Sequence, residues 1–297
     1  MSEKKTSILV LIILLGYTML GFWIGYSEGQ NKGRNKTEQL YNAYPVARTI
    51  RLLDNYYIIK FSPEELNALQ HVAIKAMLQY LDRYSYLLLP SSAKSYTLHS
   101  EPIEKKIIDN NIGYIRVPHF TSGKTYPDIK QTVINFNQQN IQGLIIDLRN
   151  NPGGDAIETI KTANLFLEKG KIIITFKFRS PYPEETYYAK EKNIFDKLVV
   201  ILINGKSASA SEMFSGALRD NKRAVLVGTK TFGKGCGQDI FFFNDGSMLG
   251  LTVLKFYLPG GTCPQGIGIE PDIVVDDATL QLDKAIEILK STPQQRG

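Results

Sequence analysis

Short apolar runs alternate with longer amphipathic stretches from about residue 113 to the end of the chain. Apolar runs bounded by turn residues predict strands, and stretches with helical periodicity predict helices. Strands are predicted at 114–117, 144–147, 171–178, 198–203 and 224–227, a hairpin with an Asp-Gly turn at 241–248, and helices at 126–139, 156–168 and 279–290. Strands separated by crossover helices predict an α/β fold with a mainly parallel sheet covered by helices.

The N-terminal third follows different patterns. Residues 7–26 are uncharged, and a helix of that length spans a hydrocarbon core of about 30 Å. Residues 1–6 form a short tail, and the polar stretch 27–40 is typical of a linker. Two helical patterns in 41–90 predict a small helical subdomain, in which Ser62-Pro63-Glu64-Glu65 forms a capping box.

The apolar stretch 7–26 has two interpretations. A cleaved signal peptide is the alternative, but the run is long for one and no small-residue cleavage site follows closely. Trp23 and Tyr26 suit a membrane interface, so an uncleaved single-pass anchor is favoured. Lysines and arginines flank both ends, so charge leaves the orientation open. The net charge of +6 is spread over the remaining chain, which favours anionic surfaces weakly and predicts no nucleic-acid partner.

Few residues suit a metal or a disulfide framework. The only two cysteines, Cys236 and Cys263, are too few for a cysteine-based zinc cluster and are predicted to be free thiols. His71, His99 and His119 share no ligand or triad spacing, and packing or surface roles are favoured for all three. No metal and no cofactor is predicted.

The segment 228–234 matches most of a phosphate-binding loop, but Gly235 stands where that loop needs a serine or threonine. The residues that follow predict a strand, whereas a nucleotide loop needs a helix to point at the phosphates. A nucleotide site is therefore rejected.

Candidate chemistry lies at one edge of the predicted sheet. Ser207, Ser209 and Ser211 lie in a turn between a strand and a helix, where free N–H groups favour developing negative charge. The glycine-rich loop with Lys234 returns to the same edge one helix and one strand later. Close backbone approach would desolvate this lysine and lower its pKa, which suits a general base. The patterns do not choose among the three serines, one of which is expected to cap the helix.

Gly153 and Gly154 form a tight turn at the same edge. Such a pair is more often structural, but a glycine N–H at this position can donate to an oxyanion.

Four ordered motifs resemble the C-terminal processing (tail-specific) serine peptidases: DLRNNPGG at 147–154, NGKSASASE at 204–212, VGTKTFGKG at 227–235 and QGIGIEPD at 265–272. The similarity extends over about residues 45–290. The resemblance implies a crotonase/ClpP-like core, Ser209 as nucleophile, Lys234 as base 25 positions later and Gln238 as its partner. It also implies oxyanion donors at Gly153, Gly154 and Ala210, and a catalytic domain outside the cytoplasm.

One departure concerns substrate capture. Most family members carry a PDZ domain between the helical segment and the core, but here only a connection of residues 91–109 precedes the core at 110–297. A PDZ fold does not fit in that connection, so recognition of substrate C-termini by a PDZ domain is not expected. A separate adaptor or regulatory protein is an alternative way of controlling substrate access.

Together with the resemblance, these observations predict a membrane-anchored serine endopeptidase that uses a Ser/Lys dyad to cleave polypeptides near their C-termini. It is expected in the inner or plasma membrane with a periplasmic catalytic domain. The alternative is a catalytically silent protein that binds a peptide or lipid in the same cleft. A third possibility is an enzyme that handles acyl-CoA with a similar α/β layer. The sequence does not support it, because no basic site for the nucleotide portion of CoA is evident.

Overall fold

The computed structural model describes residues 44–95, 101–109 and 111–291. The predicted tail, membrane anchor and linker at 1–40 lie outside these residues. The chain divides into two compact units, Met1–Met77 and Leu78–Gly297. Within the described ranges, no helix is long and apolar enough to cross a membrane.

The first unit contains α1 (Tyr44–Tyr56) and most of α2 (Pro63–Leu81). The capping box is present, since Ser62 N–H donates to Glu65 Oε2 at 2.7 Å and Glu65 N–H donates to Ser62 Oγ at 3.2 Å. One face of α2 carries apolar residues at helical spacing, but it is not buried throughout, because Val72 is 64% exposed. Helical periodicity alone did not decide what this face packs against.

The described residues of the second unit contain two sheets, the end of α2 and five further helices. Its elements in the described residues are β1 (Tyr86–Leu88), α3 (Pro90–Ser95), β2 (Glu104–Ile108), β3 (Ile112–Arg116), α4 (Thr125–Gln138), β4 (Gly143–Asp147), α5 (Ala156–Asn164), β5 (Ile172–Phe178), β6 (Glu185–Tyr188), β7 (Val199–Ile203), α6 (Ala210–Asp220), β8 (Ala224–Gly228), β9 (Cys236–Phe242), β10 (Met248–Tyr257), β11 (Ile273–Val274) and α7 (Gln281–Ser291).

The larger sheet has the strand order β11-β8-β7-β4-β3-β2 and is parallel except for the β2–β3 pair. Asp147 at the end of β4 pairs with Leu202, and Ile203 at the end of β7 pairs with Gly228 of β8. The loops after β4, β7 and β8 therefore leave the sheet at one edge, as predicted. The sequence assigned 104–108 to a connection, whereas these residues form β2 at the margin of this sheet.

The second sheet corrects the prediction of a single, mainly parallel sheet. It joins β1, β5, β6, β9 and β10 in antiparallel pairs, with β9 and β10 forming the predicted Asp-Gly hairpin. The sequence prediction placed β5 in the parallel layer because it follows a predicted crossover helix. Pairing between distant segments, which local periodicity does not encode, moved β5 to the second sheet.

Both faces of the larger sheet are covered. Helices α4, α5 and α6 pack on one face together with β5, around Phe120, Phe166 and Phe214. Helix α7 covers the other face with Ala285 and Leu289. Helix α5 ends at Asn164 rather than at the predicted 168, since the next residues tighten into a turn whose apolar side chains are buried.

Candidate active site

Ser209 occupies the residue before α6 in a backbone conformation that serine seldom adopts. Its φ is +54°, which is unfavourable for a residue with a Cβ and is found at turns that expose a functional group. Ser209 is partly exposed, whereas Ser207 and Ser211 are fully buried. Of the three serines, only Ser209 is thus open to a substrate.

The other two serines hold the turn in place. Ser207 Oγ donates to the Leu148 carbonyl at 2.8 Å and accepts from Asn204 N–H at 2.9 Å. Ser211 Oγ donates to the Asn151 carbonyl at 2.9 Å. Their hydroxyls therefore satisfy backbone groups between the loops after β4 and β7.

The turn with Gly153 lies directly against Ser209. A Cβ placed on Gly153 would lie 2.9 Å from Ser209 Cβ and 3.0 Å from Ala210 N, and the φ of Gly153 is +115°. Asn151 fixes this contact, because its carbonyl accepts from Ala208 N–H at 3.0 Å while its Nδ2 donates to Val117 O at 2.8 Å. The close approach requires glycine.

The N–H groups at this contact are not equivalent. Gly153 N–H donates to Asn151 Oδ1 at 2.8 Å, so the structure does not leave it free as the oxyanion donor that the sequence predicted. The N–H groups of Gly154 and Ala210 donate to no group in the described part of the chain. These two N–H groups remain available as donors, and that of Ala210 directly follows the serine in the chain.

Lys234 lies in the loop after β8, with its Nζ 5.5 Å from the centre of the Tyr84 ring. Burial lowers the pKa of Lys234, against the opposing effects of Cys236, Asp82 and Glu212. Among the described residues, no hydrogen bond joins Lys234 Nζ to Ser209 Oγ. The structure thus has the lysine partly desolvated, as predicted, but not hydrogen-bonded to the serine hydroxyl.

A buried carboxylate joins the serine turn to the lysine loop. Glu212 Oε2 accepts from the N–H groups of Ser209 at 2.9 Å and Lys234 at 2.8 Å. Glu212 Oε1 accepts from Gly233 N–H at 2.9 Å and Thr231 Oγ1 at 2.5 Å. Burial raises the pKa of Glu212, although these four hydrogen bonds favour its ionised form.

Gln238 lies on β9, and its hydrogen-bond partners differ from the one that the resemblance implied. Its Nε2 donates to Thr252 Oγ1 at 3.1 Å and to Cys236 Sγ at 3.4 Å. No hydrogen bond from Gln238 to Lys234 occurs within the ranges that the structure describes.

Sequence reasoning missed the turn after α2. Asp82 Oδ1 accepts from Tyr84 N–H at 2.6 Å and from Thr252 Oγ1 at 3.3 Å, which brings Asp82 and Tyr84 to the lysine. The Asp-x-x-Ser sequence at 82–85 is typical of a side-chain-capped turn and was the available signal. It did not show which loop the turn would meet.

The remaining candidates from the sequence are the cysteines, the histidines, the partial phosphate-loop match and a metal site. Cys236 and Cys263 are free thiols, as predicted. His119 packs against Gly154, with its Nδ1 buried and without a partner in the described chain. The loop 229–235 leads into β9 rather than into a helix, consistent with the rejected nucleotide site. No group of three or more potential metal ligands occurs in the described residues.

Residues 111–275 match the model of peptidase family S41, and the chain therefore belongs to this family. It is 37% identical over 195 residues to a carboxy-terminal-processing protease of Bartonella bacilliformis, covering 64% of this chain and 44% of that protein. It is 38% identical over 191 residues to a probable CtpA-like serine protease of Staphylococcus epidermidis, covering 63% and 38%. The matched part thus spans less than half of each relative.

Solved structures show the same fold. The photosystem II D1 C-terminal processing protease aligns with a TM-score of 0.55 and 28% identity, over 64% of this chain and 53% of that one. A lipoprotein from Streptococcus agalactiae aligns with a TM-score of 0.64 and 20% identity, over 82% and 88%. The second likeness concerns the fold alone.

Proposed function

We propose that this protein is a membrane-anchored serine endopeptidase that uses Ser209 and Lys234 to cleave polypeptides near their C-termini. One observation carries the proposal: an accessible serine in a strained turn lies against Gly153 and is followed by the free N–H of Ala210, while Glu212 binds the backbones of both the serine and a desolvated lysine. Family membership and the two proteases similar to the chain support the same activity.

In the proposed reaction, neutral Lys234 accepts the proton of Ser209 as Oγ attacks the scissile carbonyl carbon. The carbonyl oxygen becomes an oxyanion, which accepts hydrogen bonds from the N–H groups of Gly154 and Ala210. Protonated Lys234 then gives its proton to the leaving amine. Water attacks the acyl-enzyme in a second cycle with the same base, and Ser209 is restored.

Substrate selection is proposed to differ from that of family members with a PDZ domain. Residues 91–109 leave no room for such a domain between the helices and the core, so the catalytic cleft itself binds an extended substrate. Main-chain pairing tolerates many sequences, and an adaptor protein is not required. The stretch 7–26 holds the enzyme in the inner or plasma membrane, with the catalytic unit on the periplasmic side.

Three serine substitutions test the proposed nucleophile. Ser209→Ala is expected to abolish cleavage of an unfolded polypeptide and labelling by a fluorophosphonate. The matched variants Ser207→Ala and Ser211→Ala lose only structural hydrogen bonds, so they retain most activity while losing about 1–3 kcal/mol of stability each. Activity in Ser209→Ala together with inactivity in Ser211→Ala would refute the assignment.

Two forms of one substrate test the cleft. An unfolded polypeptide with a free C-terminus and the same polypeptide with an amidated C-terminus are expected to be cleaved at similar rates. A strong preference for the free carboxylate would show that the tail is recognised directly. No cleavage and no labelling of Ser209 would instead favour a silent binding protein.

A further inference from the structure

We infer that Asp82 is a positioning residue for the lysine base: its carboxylate, acting through the Thr252 hydroxyl, fixes the orientation of the Gln238 amide towards Lys234. The inference rests on the proposed function of Ser209 and Lys234. It concerns a turn that lies more than 120 positions before Ser209 in sequence.

The Asp82 carboxylate is itself held in place. Oδ1 accepts from the N–H groups of Tyr84 at 2.6 Å and Ser85 at 2.7 Å, and Oδ2 accepts from Ser85 Oγ at 2.8 Å. Burial would raise the pKa of Asp82, but these bonds and the one from Thr252 lower it overall. Asp82 is therefore ionised and can only accept hydrogen bonds.

An acceptor-only carboxylate sets the direction of the next two bonds. The Thr252 hydroxyl has one proton, and at 3.3 Å it donates that proton to Asp82 Oδ1. Thr252 Oγ1 must then act as acceptor for Gln238, so the NH₂ end of the amide faces Thr252 at 3.1 Å. The Cys236 sulfur, 3.4 Å from the same nitrogen, accepts in the same sense.

This orientation leaves the carbonyl oxygen of Gln238 as the end of the amide that can accept from Lys234 during the reaction, since the two side chains form no hydrogen bond in the described structure. An amide rotated by half a turn would present a second donor to an ammonium group and would repel it. With Asp82 ionised, Gln238 instead stabilises the protonated lysine that forms as Ser209 loses its proton.

The same carboxylate acts on Lys234 through space. The charged and titratable groups that face this lysine are Asp82 and Tyr84 from the turn after α2, Glu212 from α6 and Cys236 from β9. Arg83 stacks on Tyr84, with its guanidinium carbon 4.9 Å from the centre of the Tyr84 ring. Asp82 favours the protonated lysine, so its loss lowers the pKa of Lys234 further.

Substitutions in the full-length protein separate positioning from charge. Thr252→Val removes the hydroxyl but keeps the Asp82 charge, so kcat is expected to fall about tenfold or more, and the acid limb of the pH profile is expected to move to lower pH by less than in Asp82→Asn. Asp82→Asn is expected to lower kcat similarly and to shift that limb to lower pH. Thr252→Ser keeps a hydroxyl between Asp82 and Gln238, so its kcat is expected to stay within about twofold of that of the unsubstituted enzyme.

Asp277→Asn is the matched control, because Asp277 caps the turn at Thr279 in the same manner outside this network. It is expected to change neither kcat nor the acid limb. The rate of fluorophosphonate labelling of Ser209 at each pH gives a second readout that needs no peptide substrate.

An Asp82→Asn variant with unchanged kcat and an unchanged acid limb would overturn the inference, as would a Thr252→Val variant with full activity. If Asp82→Asn does not fold, Thr252→Val against Thr252→Ser decides alone. Failure of the proposed function is distinguishable, because the unsubstituted protein would then be neither active nor labelled at Ser209.

Discussion

The backbone N–H of Lys234 donates to the Glu212 carboxylate at 2.8 Å. The same oxygen accepts from Ser209 N–H at 2.9 Å, so a single buried atom joins the loop of the proposed base to the turn of the proposed nucleophile. One side chain thus connects the backbones of the two loops that carry the proposed catalytic groups, which is the kind of support that preorganised sites need.

Glu212→Gln is expected to reduce both stability and activity. A glutamine has one acceptor oxygen, and its NH₂ group would face two of the four donors that the carboxylate now satisfies. Unfolding in urea should show a loss of at least about 1–3 kcal/mol, and labelling of Ser209 should slow.

Glu270→Gln is the matched control for Glu212→Gln. Glu270 forms an exposed ion pair with Lys230, which contributes about 0–1 kcal/mol. Equal effects of the two substitutions would contradict the role given to Glu212.

The rate of cleavage is expected to rise with pH. A lysine acts as base only when neutral, and burial lowers the pKa of Lys234, so the active fraction increases as the pH rises through that lowered pKa. Initial cleavage rates in buffers from mildly acidic to alkaline pH measure this rise. Lys234→Arg should be inactive at every pH, because guanidinium stays protonated. A flat profile, or one that falls with pH, is incompatible with a lysine base.

Lys234→Met is expected to abolish activity and raise the melting temperature at pH 7. Burial lowers the pKa of Lys234 in the folded state. Burying the charged lysine therefore reduces the free energy of unfolding at neutral pH. The penalty is full below the folded pKa and disappears as the pH rises towards the ordinary value of 10.5. The advantage of the methionine variant should therefore shrink with rising pH, and an advantage that grows would contradict the burial argument.

Gly153→Ala is expected to slow labelling of Ser209 by about tenfold or more. The new methyl group would collide with the turn that carries Ser209 and displace the serine from its position. A Cβ there would lie 2.9 Å from the Ala208 carbonyl and from Ser209 Cβ, in a backbone conformation that alanine rarely adopts. Gly205→Ala, with its nearest atom 3.7 Å away, serves as control. Unchanged labelling in both variants would show that the contact does not position the serine.

The sequence by itself determined the α/β class, the sheet edge at which the loops meet, and the loop residues assigned to the site. Apolar strands followed by helices encode crossover connections, and these bring the ends of β4, β7 and β8 to one edge. The capping box before α2 and the Asp-Gly hairpin were also predicted, because each is a local preference of neighbouring residues.

The tertiary structure decided what depends on contacts between distant segments. It buried Ser207 and Ser211 while leaving Ser209 accessible. The sequence patterns did not distinguish the three serines, and only the family resemblance, through the spacing to Lys234, favoured Ser209. It engaged the N–H of Gly153, moved β5 into a second sheet, and brought Asp82 to Thr252, 170 positions away. Hydrogen-bond satisfaction and burial are properties of the packed molecule, and local sequence patterns do not contain them.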